Sequence, residues 1–182
     1  MSHRFGEIRQ VAYLVKDIGQ AMRHWTEVLG IGPFFLVEKI TAHGSTYRGQ
    51  PSSPQLSLAM SQSGPVQIEL IQQHNDAPSQ FLDYVNAGFE GQHHIAFWTR
   101  QFDADMARYL NEGFEVLSTA NTPPNRNAFL TACGHAGTLI EISEISGSKG
   151  SYFEKIARIA AAWDGTNPVR KVTSMTPDAI EG

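Results

Sequence analysis

A chain of 182 residues with 41% hydrophobic and 18% charged side chains can bury one domain, or two small similar halves around a shared core, and its composition argues against wholesale disorder. Its formal net charge of −4 comes with no basic tract or basic helix face, which excludes nucleic acid and acidic membrane surfaces as expected partners. Cys133 is the only cysteine, so an internal disulfide and cysteine-rich zinc sites are excluded, and a reducing cytoplasm is the expected location.

The first residues, "MSHRFGEIRQ", are polar and charged and lack the apolar core of a signal peptide. No apolar run approaches the roughly 20 residues of a spanning helix. The segment "IRQVAYLVKD" (8–17) alternates and is rich in Val, Leu and Tyr, as a strand requires. In "DIGQAMRHWTEVLGIG", Asp17 and Gln20 resemble a capping box. Met22, Trp25 and Leu29 recur at helical spacing and Gly30 supplies a left-handed stop, so a helix of about three turns is expected.

Three further strands are expected at "FFLVEKI" (34–40), "QLSLAMS" (55–61) and "VQIELIQ" (66–72), with the Gly/Ser/Pro-rich stretch 41–54 as a loop. "APSQFLDYVNAG" reads as a short helix, with Pro78 near its start and Gly88 past its end. The pattern then recurs: strand "HHIAFWT", helix "DADMARYLNEG" ending at Gly113, and strands "FEVLST", "NAFLTAC" and "TLIEISE". A final helix, "GSYFEKIARIAAAWDG", aligns Phe153, Ile156, Ile159 and Trp163 on one face, to pack on the domain or on a second subunit. Residues 165–182 are polar, contain Pro168 and Pro177, and are expected to be poorly ordered.

Each half thus reads strand–helix–strand–strand–strand, and the halves align. With Gln10 opposite His94, Val11 meets Ile95, Ala12 meets Ala96 and Tyr13 meets Phe97. At the same offset of 84, Met22 meets Met106 and Trp25 meets Tyr109. With Glu69 opposite Glu141, Ile68 meets Ile140 at an offset of 72. The second half is shorter by 12 residues because the first carries the long loop.

Side chains alternate between the faces of a strand. Gln10 therefore shares a face with Ala12 and Leu14, and His94 with Ala96 and Trp98. Glu69 points away from Ile68 and Leu70, and Glu141 away from Ile140 and Ile142. Taken singly, each polar residue is ordinary. Together, at paired positions within apolar strands, two carboxylates need a counter-charge, and a divalent cation supplies one. Three oxygen donors and one nitrogen suit Zn, Ni, Co, Mn or Mg. His93 falls on the opposite strand face and has no ligand role in this reading. Cys133, His24, His43, His74 and His135 match no paired position, although His135 could line a pocket mouth. Phe34, Phe35, Tyr47, Trp98 and Phe129 are candidates for an apolar pocket lining.

On these residues, about 5–145 of the chain resembles the vicinal oxygen chelate superfamily, the glyoxalase/bleomycin-resistance/dioxygenase fold. The resemblance implies an α+β fold in which two βαβββ modules, about 5–75 and 90–145, form a cup-shaped mixed sheet around a metal. A C-terminal helix and polar tail follow at 146–182. The ligands it implies are Gln10, Glu69, His94 and Glu141. Their order, with "RQVAYLVKD" and "LIEISE", looks like zinc-type glyoxalase I. The linker "FLDYVNAGFEGQHHIAF" looks more like methylmalonyl-CoA epimerase, which carries His at the position of Gln10.

The activity implied is that of a metal-dependent lyase or isomerase working through a metal-stabilised enediolate. Glu141 is the implied catalytic base, and Glu69 a ligand that can return the proton. The implied partners are zinc, or another divalent ion, a small substrate with vicinal oxygens such as a thioester, and a second copy of the chain. Leu14 and Glu90 stand where glyoxalase I holds glutathione carboxylates with arginines, which argues against a glutathione substrate. The alternatives within the fold are a non-catalytic binding or resistance protein and an extradiol dioxygenase. The latter is disfavoured because Gln10 replaces a needed histidine.

Overall fold

The computed structural model describes residues 2–120, 125–131 and 139–180. Strand β1 (Gln10–Leu14) runs into helix α1 (Ile18–Arg23), where the Asp17 carboxylate accepts from the Gln20 N–H at 2.8 Å. A π-helical turn, His24–Val28, extends this helix before Gly30 reverses the chain at φ +67. Strands β2 (Phe34–Thr41), β3 (Ser45–Tyr47), β4 (Gln50–Ser52), β5 (Gln55–Ser63) and β6 (Val66–Gln73) complete the first half. Helix α2 (Gln80–Asn86), capped by the Ser79 hydroxyl, links it to β7 (Gly91–Thr99). Helix α3 (Phe102–Asn111), β8 (Glu115–Ala120), β9 (Asn127–Thr131) and β10 (Leu139–Glu144) follow. Helix α4 (Ser148–Ala161), β11 (Val169–Lys171) and a 3-10 turn at Pro177–Ala179 end the described chain.

All the named strands form one curved, unclosed mixed sheet in the order β11-β2-β5-β6-β1-β7-β10-β9-β8-β3-β4. Within each module the first and last strands are parallel neighbours, β1 with β6 and β7 with β10. The modules meet through the antiparallel pair β1–β7, so they join within one chain. One face of the sheet carries α1, whose Ile18 and Met22 pack with Phe34, Leu36 and Leu70. The same face carries α3, whose Tyr109 packs with Phe97 and Ile142. The other face is the cup.

Two expectations are corrected. Residues 41–54 are not simply a loop, because β3 and β4 form a hairpin turned at Arg48 and Gly49, both at left-handed φ as short hairpin turns demand. Strand β3 then pairs with β8 of the other module, Tyr47 opposite Ser118. The residues after 165 are not merely a disordered tail. Strand β11 extends the sheet alongside β2, and Ile180 is buried against the cup cluster while Lys155 Nζ donates to the Pro177 and Ile180 carbonyls. Backbone pairing at the open edge of β2 holds this segment, and it needs no apolar alternation.

Helix α4 docks into the cup of its own chain. Tyr152, Phe153 and Ile156 are buried against Leu58, Met60 and Ile71, Ile159 packs beside them, and Trp163 lies over Gly32. The close approach depends on Gly150, since a Cβ there would overlap the Ile145 carbonyl oxygen. Gly150→Ala is therefore expected to destabilise the protein by about 1–3 kcal/mol, read as a lowered urea midpoint. An unchanged midpoint would count against this docking. No helix among the described residues is long and apolar enough to cross a membrane.

Candidate metal centre

Strand register builds the centre. Ala12 of β1 lies beside Glu69 of β6 and opposite His94 of β7, while Ala96 of β7 lies beside Glu141 of β10. Ala12 and Ala96 are fully buried, and their single methyl groups leave room for the longer side chains to converge above them. His94 Nε2 lies 3.0 Å from Glu141 Oε2 and 3.8 Å from Glu69 Oε2. The candidate donor atoms of Glu69, His94 and Glu141 all fall within 4.8 Å of one another, and all three residues are buried.

Gln10 is buried on the same face and lines the same cavity. Its Nε2 donates to Gln67 Oε1 at 2.6 Å. The cavity, about 550 Å³, opens over Gln10, Glu69 and Glu141 and is flanked by Asn127, Phe129 and Lys149. Of the aromatic candidates, Tyr47 and Phe129 line it. Phe34 faces the opposite side of the sheet, Phe35 belongs to the core, and Trp98 packs on Phe153.

Three side chains at the centre were not assigned to it from the sequence. Asn127 Nδ2 donates to Glu141 Oε1 at 3.2 Å. Lys149, from the first turn of α4, is buried, and its Nζ donates to the Asn125 and Arg126 carbonyls at 3.4 and 3.2 Å. Period-two alternation back from Phe129, which pairs with Glu141, would have flagged Asn127, whereas Lys149 arrives only through helix docking.

The third is His93, whose expected orientation is corrected. The β1–β7 register slips between Ala12 and Tyr13, because Ala12 faces His94 while Tyr13 already faces Gln92. His93 is the extra residue of a β-bulge, and a bulge suspends strict alternation and re-aims side chains. The His93 ring therefore lies beside that of His94, with Nδ1 to Nδ1 at 2.9 Å, and its Nε2 is 3.3 Å from the Gln80 carbonyl. His24, His43 and His74 lie exposed away from the centre, His43 at the cavity rim. Cys133 and His135 lie outside the described residues. Leu14 is buried core. Glu90 is exposed and accepts from the Lys16 N–H at 2.9 Å.

The electrostatics follow from burial and proximity. Burial, then the Glu141 charge, push the Glu69 carboxyl well above the usual carboxylate range. Burial acts on Glu141 in the same sense, but His94, Lys149 and Asn127 together hold it below that range. Burial lowers His93 to about 3, so its ring is neutral, and burial also pulls the Lys149 ammonium down against three glutamates. His94 Nε2 is buried without a well-directed hydrogen bond, despite its closeness to Glu141. A buried ring nitrogen set between two buried carboxylates fits a cation ligand set of nitrogen and oxygen donors.

Beyond the centre, Arg126 ties the end of β10 to α3, its Nε to Glu144 at 2.8 Å and its Nη1 to Asp103 at 2.7 Å. The Arg126 hydrogen bonds hold Glu144 at about 2, against an ordinary value of 4.5. A depressed carboxyl stabilises the fold above its unfolded value and loses that stabilisation on acidification. The Glu144 contribution is therefore full above about 4.5 and fades toward 2. Glu144→Gln is expected to cost on the order of 3 kcal/mol at neutral pH and to flatten the acid limb of a stability–pH profile. Parallel acid limbs for variant and parent would refute this.

Residues 9–129 match the family described as the Glyoxalase/Bleomycin resistance protein/Dioxygenase superfamily. A search of curated proteins returned no match. Among solved structures, a hypothetical protein from Bacillus halodurans C-125 is similar at 18% identity and a TM-score of 0.60, over 76% of this chain and 93% of that one. A methylmalonyl-CoA epimerase from Mycobacterium tuberculosis is similar at 19% identity and a TM-score of 0.54, over 79% and 91%. At these identities the likeness is one of fold.

Proposed function

Because the chain belongs to the Glyoxalase/Bleomycin resistance protein/Dioxygenase superfamily, we propose that its cup holds one divalent metal ion and that the protein is a metal-dependent lyase or isomerase. One observation carries this reading: the buried convergence of Glu69, His94 and Glu141. Gln10 is the proposed fourth ligand, its amide oxygen reached by turning from Gln67. Zn²⁺ is the proposed ion, and Ni²⁺, Co²⁺, Mn²⁺ and Mg²⁺ suit the same donors. Bound there, the ion would act as a Lewis acid on a substrate carbonyl and lower the cost of negative charge on its oxygen.

The protein's own groups do the rest. Glu141, held ionised at neutral pH by its neighbours, is the proposed base for the proton alpha to that carbonyl. Asn127 grips one of its oxygens, which fixes the carboxylate plane. Glu69, which holds a proton more tightly, would return one to the neighbouring carbon or oxygen. The Lys149 ammonium offers charge to an anionic oxygen of the substrate, and helix α4 covers part of the cup. The proposed substrate is a small molecule with vicinal oxygens. The fold shared with a methylmalonyl-CoA epimerase supports a thioester.

The test is metal analysis of the purified protein together with deuterium uptake from solvent at the alpha carbon of methylmalonyl-CoA and of a hemithioacetal. One equivalent of ion and ion-dependent exchange are expected. A protein that takes up none of the five ions would be a non-catalytic binder of the same fold.

A further inference from the structure

The bulge at His93 builds a directed hydrogen-bond chain behind the centre. The Gln80 carbonyl, in the first turn of α2, can only accept, so the His93 Nε2 that faces it at 3.3 Å must carry a hydrogen. A neutral imidazole has one hydrogen, and His93, set between the Phe81 and Tyr84 rings at centroid distances of 5.2 and 5.1 Å, spends it on that carbonyl. Its Nδ1 is therefore a bare acceptor. The His94 Nδ1 at 2.9 Å must then be the donor. With hydrogen on Nδ1, the His94 Nε2, 3.0 Å from Glu141 and 3.8 Å from Glu69, is the ring atom placed to ligate an ion held between the two carboxylates.

We propose that His93 is a positioning residue which, by relaying a hydrogen bond from the Gln80 carbonyl, locks His94 in the Nδ1–H tautomer and presents its Nε2 as a ligand. The doublet in "GQHHIAF" thus works as a pair. Without the bulge, alternation would turn His93 to the opposite face. Phe129 packs edge-on against His94 and Phe81 at centroid distances of 4.9 and 5.8 Å, which steadies both rings from the cup side. A partner on the far ring nitrogen fixes the orientation of a ligating histidine and raises its basicity. Here that partner is a second histidine, itself set by a helix carbonyl.

The consequence for metal binding rests on the proposed metal centre, and the test separates the two. Imidazole ¹⁵N–¹H correlation spectra of histidine-labelled protein, with and without Zn²⁺, report each tautomer directly. His93 is expected to carry hydrogen on Nε2 only and His94 on Nδ1, in both forms. Hydrogen on His93 Nδ1 would overturn the relay, whether or not zinc binds.

Chelator competition with Zn²⁺ then compares the parent with His93→Phe, which keeps the ring packing and loses both hydrogen bonds. Affinity is expected to fall roughly 10- to 100-fold, with the metal-free melting temperature little changed. Equal affinity would also overturn it. A parent that binds no Zn²⁺ but shows these tautomers would sink the metal reading and leave the relay standing.

Discussion

Glu141→Gln is expected to reduce solvent exchange at the substrate's alpha carbon by about 10²- to 10⁴-fold, the range a positioned general base contributes. The substitution keeps the shape of the side chain and its ability to accept from Asn127 Nδ2. It removes the charge and the basic oxygen. Metal affinity should fall as well, because one of the two buried carboxylates proposed to neutralise a divalent ion is gone. The two effects separate by experiment: exchange is measured at saturating metal, and affinity by competition. Exchange unaffected at saturation would remove Glu141 from the role of base. Glu69→Gln, by contrast, is expected to weaken metal binding while leaving proton removal faster than in Glu141→Gln.

Ile156→Ala should cost about 3 kcal/mol of folding stability, within the range for truncating a fully buried aliphatic side chain. Ile156 sits in the middle of the buried stripe of α4, against the apolar wall made by β5 and β6. The cavity left behind cannot be refilled by a helix already tethered by Lys155 to the Pro177 and Ile180 carbonyls. A urea titration reads the loss as a lower midpoint. Because α4 docks on its own chain, the shift should not depend on protein concentration. A loss that shrinks at high concentration would mean that the helix binds a second subunit instead.

Sequence and structure agree most closely on the strand face that Gln10, Glu69, His94 and Glu141 share. Gln10 and His94, and Glu69 and Glu141, stand at repeat-equivalent positions in strands with regular alternation, so their common face could be read before any coordinates. The same regularity misled at His93. Alternation assumes an unbroken ladder, and the slip between Ala12 and Tyr13 breaks it at that residue. The hairpin of β3 and β4 escaped notice for another reason. Its stabilising partner, β8, lies some seventy residues away in the other module, and Thr46 meets Thr119 there through paired hydroxyls at 2.8 Å. Turn-forming Gly, Ser and Pro dominate that stretch, and Thr46 and Tyr47 alone are too short a run to mark a strand.

By itself the sequence determined the two-module plan, the strand faces and four of the buried polar groups, because these follow from periodicity and from a repeat within the chain. Only the tertiary structure decided which modules pair, through β1 and β7 of one chain. It also decided that α4 and Lys149 enter the cup, that Asn127 holds Glu141, and that two adjacent histidines face each other rather than opposite sides of a sheet. The physical reason is one of range. Alternation is a property of the backbone two residues at a time. Docking of a helix, the register of a distant strand and the placing of a bulge are settled by contacts among residues far apart in the chain.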